Sequence, residues 1–439
     1  MIKKIAFVLS VVLSVCCFST SCFNQQKSAP KTGITIKCAL IGYGDYEKLY
    51  ESIPIFEDQT GIDVEIVYLD NHFELDKKLK RDFSSDTDDY DVISNHSSFY
   101  SQYIDYLEPL NQYFSQEELT DFLPRLLNSG KQNGNLYLMP RHADISSILY
   151  RTDLFKDENY KKQFFDTYHR ELSVPQTWDE FEQVATFFGQ FEGLYGTQFA
   201  GKEEALTGRF YEVLLANGGH FIDNTGNAVF NSPQGIKSAM MFKNLYQNGS
   251  VPEDTFDYLW DDLAKNFASG NVAIYVEWYS YYSFLQDPKR SQVVGKFDIA
   301  RLPIGDGGIH SGWMGMHGFS ITKNSNYKEQ SAELIRFLTN KDSSYAEAKI
   351  GYLPVRSSVW NRVISDARFD DMQQKRLELA KLQLSEDSFT PPLTPEWISA
   401  SDIFYPIFQQ IISGEQDIKT GLDDAAHQIN AMLQRNTYF

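Results

Sequence analysis

From residue 34 onward the chain alternates nearly continuous apolar runs with stretches whose apolar residues recur every three to four positions. The run ITIKCALI (34–41) predicts a buried strand leading into Gly42, Tyr43, Gly44 and Asp45. Tyr46, Leu49, Tyr50 and Ile53 then fall at i, i+3, i+4 and i+7, which predicts a helix ended by Gly61 and kinked or cut short by Pro54. DVEIVYL (63–69) follows as a second strand, so the unit is β-α-β, the mark of a parallel sheet. DYDVI (89–93) predicts a third strand, and its carboxyl end, Ser94, Asn95 and His96, is where open α/β sheets place ligands. Thr177 and Glu180 form a capping box ahead of Phe181, Val184, Ala185 and Phe188 at helical spacing. Residues 210–282 read as a helix with an Asn-Gly-Gly stop, a turn on Asp-Asn-Thr-Gly-Asn and a helix opened by Ser-Pro. A helix stopped at Gly270 and the apolar strand VAIYV, ending in Glu-Trp, complete the stretch.

The N-terminus adds a destination. Lys3 and Lys4 precede an apolar run too short and too soon interrupted to span a bilayer, so residues 1–21 read as an export signal. Ser19-Thr20-Ser21-Cys22 is a loose lipobox without the usual Leu, which makes Cys22 the expected lipidated residue and Cys16 the second choice. Residues 22–33 read as a polar tether holding the body at a membrane, with the protein facing the periplasm or the cell exterior. The mature chain is too long for one core, and two lobes are expected. Its net charge of −19, more negative once Lys3 and Lys4 leave, disfavours nucleic acid and anionic membrane as partners. With Cys16 and Cys17 removed and Cys22 lipidated, only Cys38 of the 4 cysteines remains, which excludes an internal disulfide and a cysteine metal site.

Taken in order, the elements of 210–282 resemble the C-terminal lobe of the extracellular solute-binding proteins that serve ATP-binding-cassette importers, in particular the sugar-binding, maltose-binding-protein-like family. FEDQTGIDVEIVYL, NGNLYLMPRHADISSILYRTDLF, VPQTWDEFEQVA, HGFSITKNSNYKEQSAELIRFLTN and GYLPVRSSV extend the resemblance over nearly the whole mature chain. It implies a two-lobed α/β fold of type II, each lobe a mostly parallel sheet flanked by helices. The implied N-terminal lobe is 34–144 with 302–339, and the C-terminal lobe 145–301 with 340–439. Three hinge crossings are implied, near 143–148, 299–303 and 338–342. The implied function is capture of a sugar or short oligosaccharide between the lobes, by a monomer, for delivery to an ABC permease.

A sugar has apolar C–H faces and a rim of hydroxyls, so its receptor needs aromatic platforms and paired donors and acceptors. Trp278, at a strand end, is the first platform candidate, with an ordinary core role as its alternative. Trp313, in the glycine-rich GDGGIHSGWMGMHG with Met316 and His317, is the second. Tyr43 and Asp45 follow the first strand and His96 the third, although Asp45 is equally a helix cap. Arg141, His142 and Asp144 lie in the first crossing, where an Arg–Asp pair either fixes the hinge or binds hydroxyls. Arg356 follows the family's Pro-Val, with a surface ion pair as its alternative. Trp260, Tyr195 and Trp397 are weaker candidates.

No nucleophile elbow, phosphate loop or His-Glu-x-x-His stretch is present, and Asp223, Thr225 and Asn227 lack the spacing of a calcium loop, so no cofactor or metal is expected. A thiaminase-like enzyme on the same fold needs a cysteine after LYLMP, where this chain continues RHADISS. A glycerophosphodiester or other polyol phosphate is the rival ligand, for which Arg141 and Arg356 supply cations.

Overall fold

The computed structural model describes residues 28–42, 44–87, 89–392 and 394–436; the export signal, Cys22 and Tyr43 lie outside the described residues. Strand β1 (Thr35–Ile41) lies between β2 (Asp63–Asp70) and β3 (Val92–His96), parallel to both. Beyond β3 the ladder changes sense. Strand β7 (Gly312–Ile321) runs antiparallel to β3 and to the long β4 (Met139–Arg151), and β8 (Leu353–Pro354) is antiparallel to β4. The first-lobe order is β8-β4-β7-β3-β1-β2. Past Ile145, β4 leaves β7 and pairs antiparallel with β5 (Ile274–Trp278), Ser146 opposite Trp278, and with β6 (Phe297–Ala300). One continuous strand therefore belongs to both lobes. Parallel pairing, as expected, holds across β2, β1 and β3 and between Ser388–Phe389 and the start of β7, whereas near the hinge β4 pairs antiparallel with β5, β6, β7 and β8.

Two apolar cores flank this shared strand. Leu40, Ile93, Phe319, Leu353 and Trp360 belong to the first, and Val184, Phe210, Phe230, Phe404 and Phe408 to the second. Helices α6 (Lys341–Ala348) and α7 (Ser357–Ile364) fall in the stretch assigned by resemblance to the C-terminal lobe, yet both pack on the first. Leu353 pairs with Ala143, and Glu347 of α6 binds Arg141 at 2.7 Å, so the crossing expected near 338–342 does not occur there.

Local signals explain most boundaries. Residues Gly44–Ser52 form a 3-10 helix that hands over to α1 (Ile53–Thr60). Pro54 opens α1 rather than ending a helix, since the first turn leaves its missing N–H without consequence, and Gly61 at φ 72° closes it. Asn71 caps α2 (His72–Ser84) through the Phe73 and Glu74 amides. Thr177 caps α3 (Trp178–Phe188) through the Glu180 amide, but the reciprocal half of the expected capping box does not form, because Glu180 Oε2 accepts from the Gln176 amide at 2.7 Å instead. Among the described residues no helix is long and apolar enough to cross a membrane.

Candidate functional site

Trp278 ends β5 at the point where β4 changes partner. Its ring lies 5.2 Å from Trp313, near the start of β7, and 5.5 Å from Trp260, which opens α5 (Trp260–Ala268); Trp260 and Trp313 are 5.7 Å apart. Three indoles from distant segments thus pack at tilted and edge-to-face angles. Trp313 is seated on Gly208 of α4 (Glu203–Ala216), where a β-carbon would fall inside the indole. Its amide donates to Glu212 Oε1 at 2.8 Å.

Arg209, the next residue on α4, lies 5.3 Å over Trp260 and 5.8 Å over Trp278. Its Nη1 donates to Glu212 Oε2 at 2.6 Å and to Ser146 Oγ at 2.9 Å. Arg209 Nε and Nη2 and Trp313 Nε1 are buried without a protein partner. Buried donors seldom stay unpaired, so these groups keep hydrogen-bonding capacity that the protein does not use; Arg209 also lines a cavity of about 20 Å³ with Thr197 and Gln198, whose Oγ1 and Oε1 are unpartnered too. Glu277 accepts from the Trp278 amide at 2.8 Å, and its second oxygen is also unpartnered. Burial pushes its carboxyl up to about 8, against the pull of Arg209, so it is mainly protonated at neutral pH.

The opposing wall comes from the first lobe. His96 ends β3, its ring 4.5 Å from His317 of β7. Between this wall and the tryptophans lies Gly315, whose β-carbon would stand 3.0 Å from His96 Nε2 and 3.6 Å from Trp278. Bare backbone here lets the two walls come close to each other. Asp144 accepts from the amides of Ile145 (2.9 Å) and Ser280 (3.1 Å), tying β4 to the turn after β5. Burial raises its carboxyl to about 6, with the Ser280 and Ile145 hydrogen bonds opposing.

His96, Trp278 and Trp313 are therefore brought together, with Asp144 in a supporting position at the hinge. Three other candidates are not. Arg141 spends its guanidinium on Glu347, the Tyr50 hydroxyl and the Tyr46 carbonyl, so the expected Arg141–Asp144 pair does not form. Although burial alone would raise Glu347, Arg141 and His142 hold it at about 2. Asp45 is exposed and pairs with Lys48 at 2.6 Å. Arg356 stacks 3.9 Å over Phe122, donates to the Thr339 carbonyl, and lines a surface groove of about 370 Å³ with Phe114, Asp121 and Arg336. Tyr195 is 37% exposed, and Trp397 is a core residue whose Nε1 donates to Glu204. Arg209, Glu212 and Glu277 were missed in the sequence. The detectable signal was two opposite charges at i, i+3 inside the apolar helix LTGRFYEVLLA.

Residues 51–369 match the family model of the bacterial extracellular solute-binding protein. This chain belongs to that family. The binding protein is 24% identical over 366 residues to a putative binding protein of Brucella abortus, covering 82% of this chain and 83% of that one. A probable ABC transporter-binding protein of Deinococcus radiodurans is 23% identical over 371 residues, covering 82% of each chain. In fold, it superposes on the maltose-bound MalE3 of T. maritima with a TM-score of 0.78 at 24% identity, covering 91% of this chain and 100% of that one. The ribitol complex of a solute-binding protein from Agrobacterium radiobacter K84 gives 0.77 at 22% identity, covering 92% and 100%. These likenesses establish the two-lobed periplasmic-binding-protein fold.

Proposed function

We infer that this binding protein captures a neutral sugar or polyol between its lobes and delivers it to the transmembrane subunits of an ABC importer. The observation that carries this reading is the Trp260–Trp278–Trp313 cluster, with unpartnered buried donors on Arg209 and Trp313 and bare backbone at Gly315. Indole faces match the C–H faces of a sugar, and the free guanidinium N–H groups match adjacent hydroxyls. A neutral ligand follows from charge: Arg209 already has Glu212, and Arg141 already has Glu347. The relatives named for maltose and ribitol complexes lie on the same side of the choice between neutral solutes and polyol phosphates. Catalysis is not part of the reading, since Cys38 is buried in β1, where burial raises its thiol well above the usual range. The lipid anchor at Cys22, the outward-facing location and the monomeric state belong to the same proposal.

Isothermal titration of the protein with maltose, ribitol, D-mannitol, D-tagatose and glycerophosphodiesters tests it. Tight binding of at least one neutral member is expected; binding confined to the phosphodiesters would overturn the reading.

A further inference from the structure

The register of the first-lobe sheet places His96 opposite His317 on one side and His142 opposite His317 on the other. Directly opposed residues project from the same face of a sheet, so the three imidazoles form a row across β3, β7 and β4. Ring centroids are 4.5 Å apart for His96–His317 and 5.1 Å for His317–His142. His72 of α2 joins at 6.1 Å from His96 and 6.2 Å from His317, so half of the chain's 8 histidines stand together. Among the described residues, no group of three such side chains is placed to hold a metal ion.

The row is built to be uncharged. His96 Nδ1 accepts the Ser98 amide at 3.2 Å, which places the proton of a neutral ring on Nε2, the atom beside Gly315 and Trp278. His317 Nδ1 is buried without a partner. The row therefore holds an N–H donor on His96, beside Gly315, and an unused ring nitrogen on His317. Burial drives His96 and His317 well below the usual histidine value, and repulsion from the neighbouring histidines lowers them further. His72 is pushed by burial to about 4. Around the row stand Arg141, Tyr46, Tyr50 and Tyr352, the Asp76 carboxylate on the cavity shared by His72 and His96, and Glu204 near Ser98. Glu347 faces His142 and favours its protonation, but burial outweighs it.

We propose that His96 and His317 form the hydroxyl-binding floor of the first lobe, with His142 held beside them by Glu347 and the Tyr46 hydroxyl, and that this floor holds solute only while uncharged, so that acidification releases the solute. This rests on the interlobe reading above. If opening of the cleft returns one imidazole to its usual 6.5 and closure keeps it neutral, apparent affinity weakens by about 30-fold between pH 8 and pH 5. Asp144, Glu204 and Glu277 act with the opposite sign. Their raised values mean that any proton uptake by them on closure strengthens binding as pH falls. The direction of the pH dependence therefore separates the two groups.

The test is isothermal titration of the full chain at pH 5 to 8, at constant ionic strength, with whichever neutral member of the panel binds. The dissociation constant should rise by about 30-fold or more at pH 5, and His96→Gln and His317→Gln should each flatten that slope. A merely structural role would shift affinity uniformly and leave the slope intact. Affinity that is flat or rising toward pH 5, or slopes unchanged in both variants, overturns the proposal while leaving the carbohydrate reading intact. Failure of every neutral solute to bind at any pH overturns both.

Discussion

Replacing Gly208 by Ala sets two known effects against each other inside α4. Glycine in a helix interior is about 0.5–1 kcal/mol worse than alanine, so on propensity alone the change stabilises. The added methyl, however, would fall within the Trp313 indole, against its Cζ3 and Cη2 atoms. The indole has little freedom to retreat, because Trp278 and Trp260 stand 5.2 and 5.7 Å from it and Glu212 holds its amide. Overpacking of this kind costs about 1–3 kcal/mol, so steric conflict wins and the net destabilisation is about 1–2 kcal/mol. Binding should weaken at the same time, by about tenfold or more if the displaced indole loses about 1.4 kcal/mol of contact with the solute. Urea unfolding followed by tryptophan fluorescence, with titration of the tightest neutral solute on the same preparation, measures both. A variant as stable as the parent, with unchanged affinity, would show that Trp313 is not seated on α4 and would remove the steric basis of the tryptophan wall.

Trp278→Ala should weaken solute binding by about 30-fold or more, since a stacked aromatic contributes about 2–4 kcal/mol; unchanged affinity alongside a large loss of stability would assign Trp278 to the core alone. Glu277→Gln should stabilise the protein increasingly as pH rises. Below the ordinary value of 4.5 both folded and unfolded carboxyls are protonated; between 4.5 and 8 only the unfolded chain sheds its proton, so the parent loses stability that the amide keeps. The gap should reach about 3–5 kcal/mol by pH 8, and a constant gap from pH 4 to 8 in denaturant titrations would refute it. Cys22→Ser should abolish acyl labelling and move the protein to soluble fractions; labelling that persists would redirect the anchor to Cys16 or Cys17.

The parts of the site visible in the sequence are those with a local signature. Trp278 follows an apolar strand, His96 follows another, and Trp313 sits among glycines, so position along the chain already pointed to them. The histidine row has no such signature. Its members become neighbours only through the register of β7 against β3 and β4, a long-range pairing that no periodicity encodes. Arg141 was misread because its partners, Glu347 on α6 and the Tyr46 carbonyl, come from segments whose placement depends on β8 returning to the first lobe. The two-lobed fold was legible from the order of its elements. The sense of the strands near the hinge was not, since an apolar run carries no direction.

Strand β4 changes partner between Ile145, opposite Met314, and Ser146, opposite Trp278. On β4, one of several segments that link the lobes, a change in the angle between them falls at that peptide step, which also seats Ser146 opposite Trp278. Angle and grip are geared together: a solute that fits the indole fixes the angle, and a force that opens the angle loosens the indole. A permease that pries the lobes apart can therefore extract the cargo without touching it.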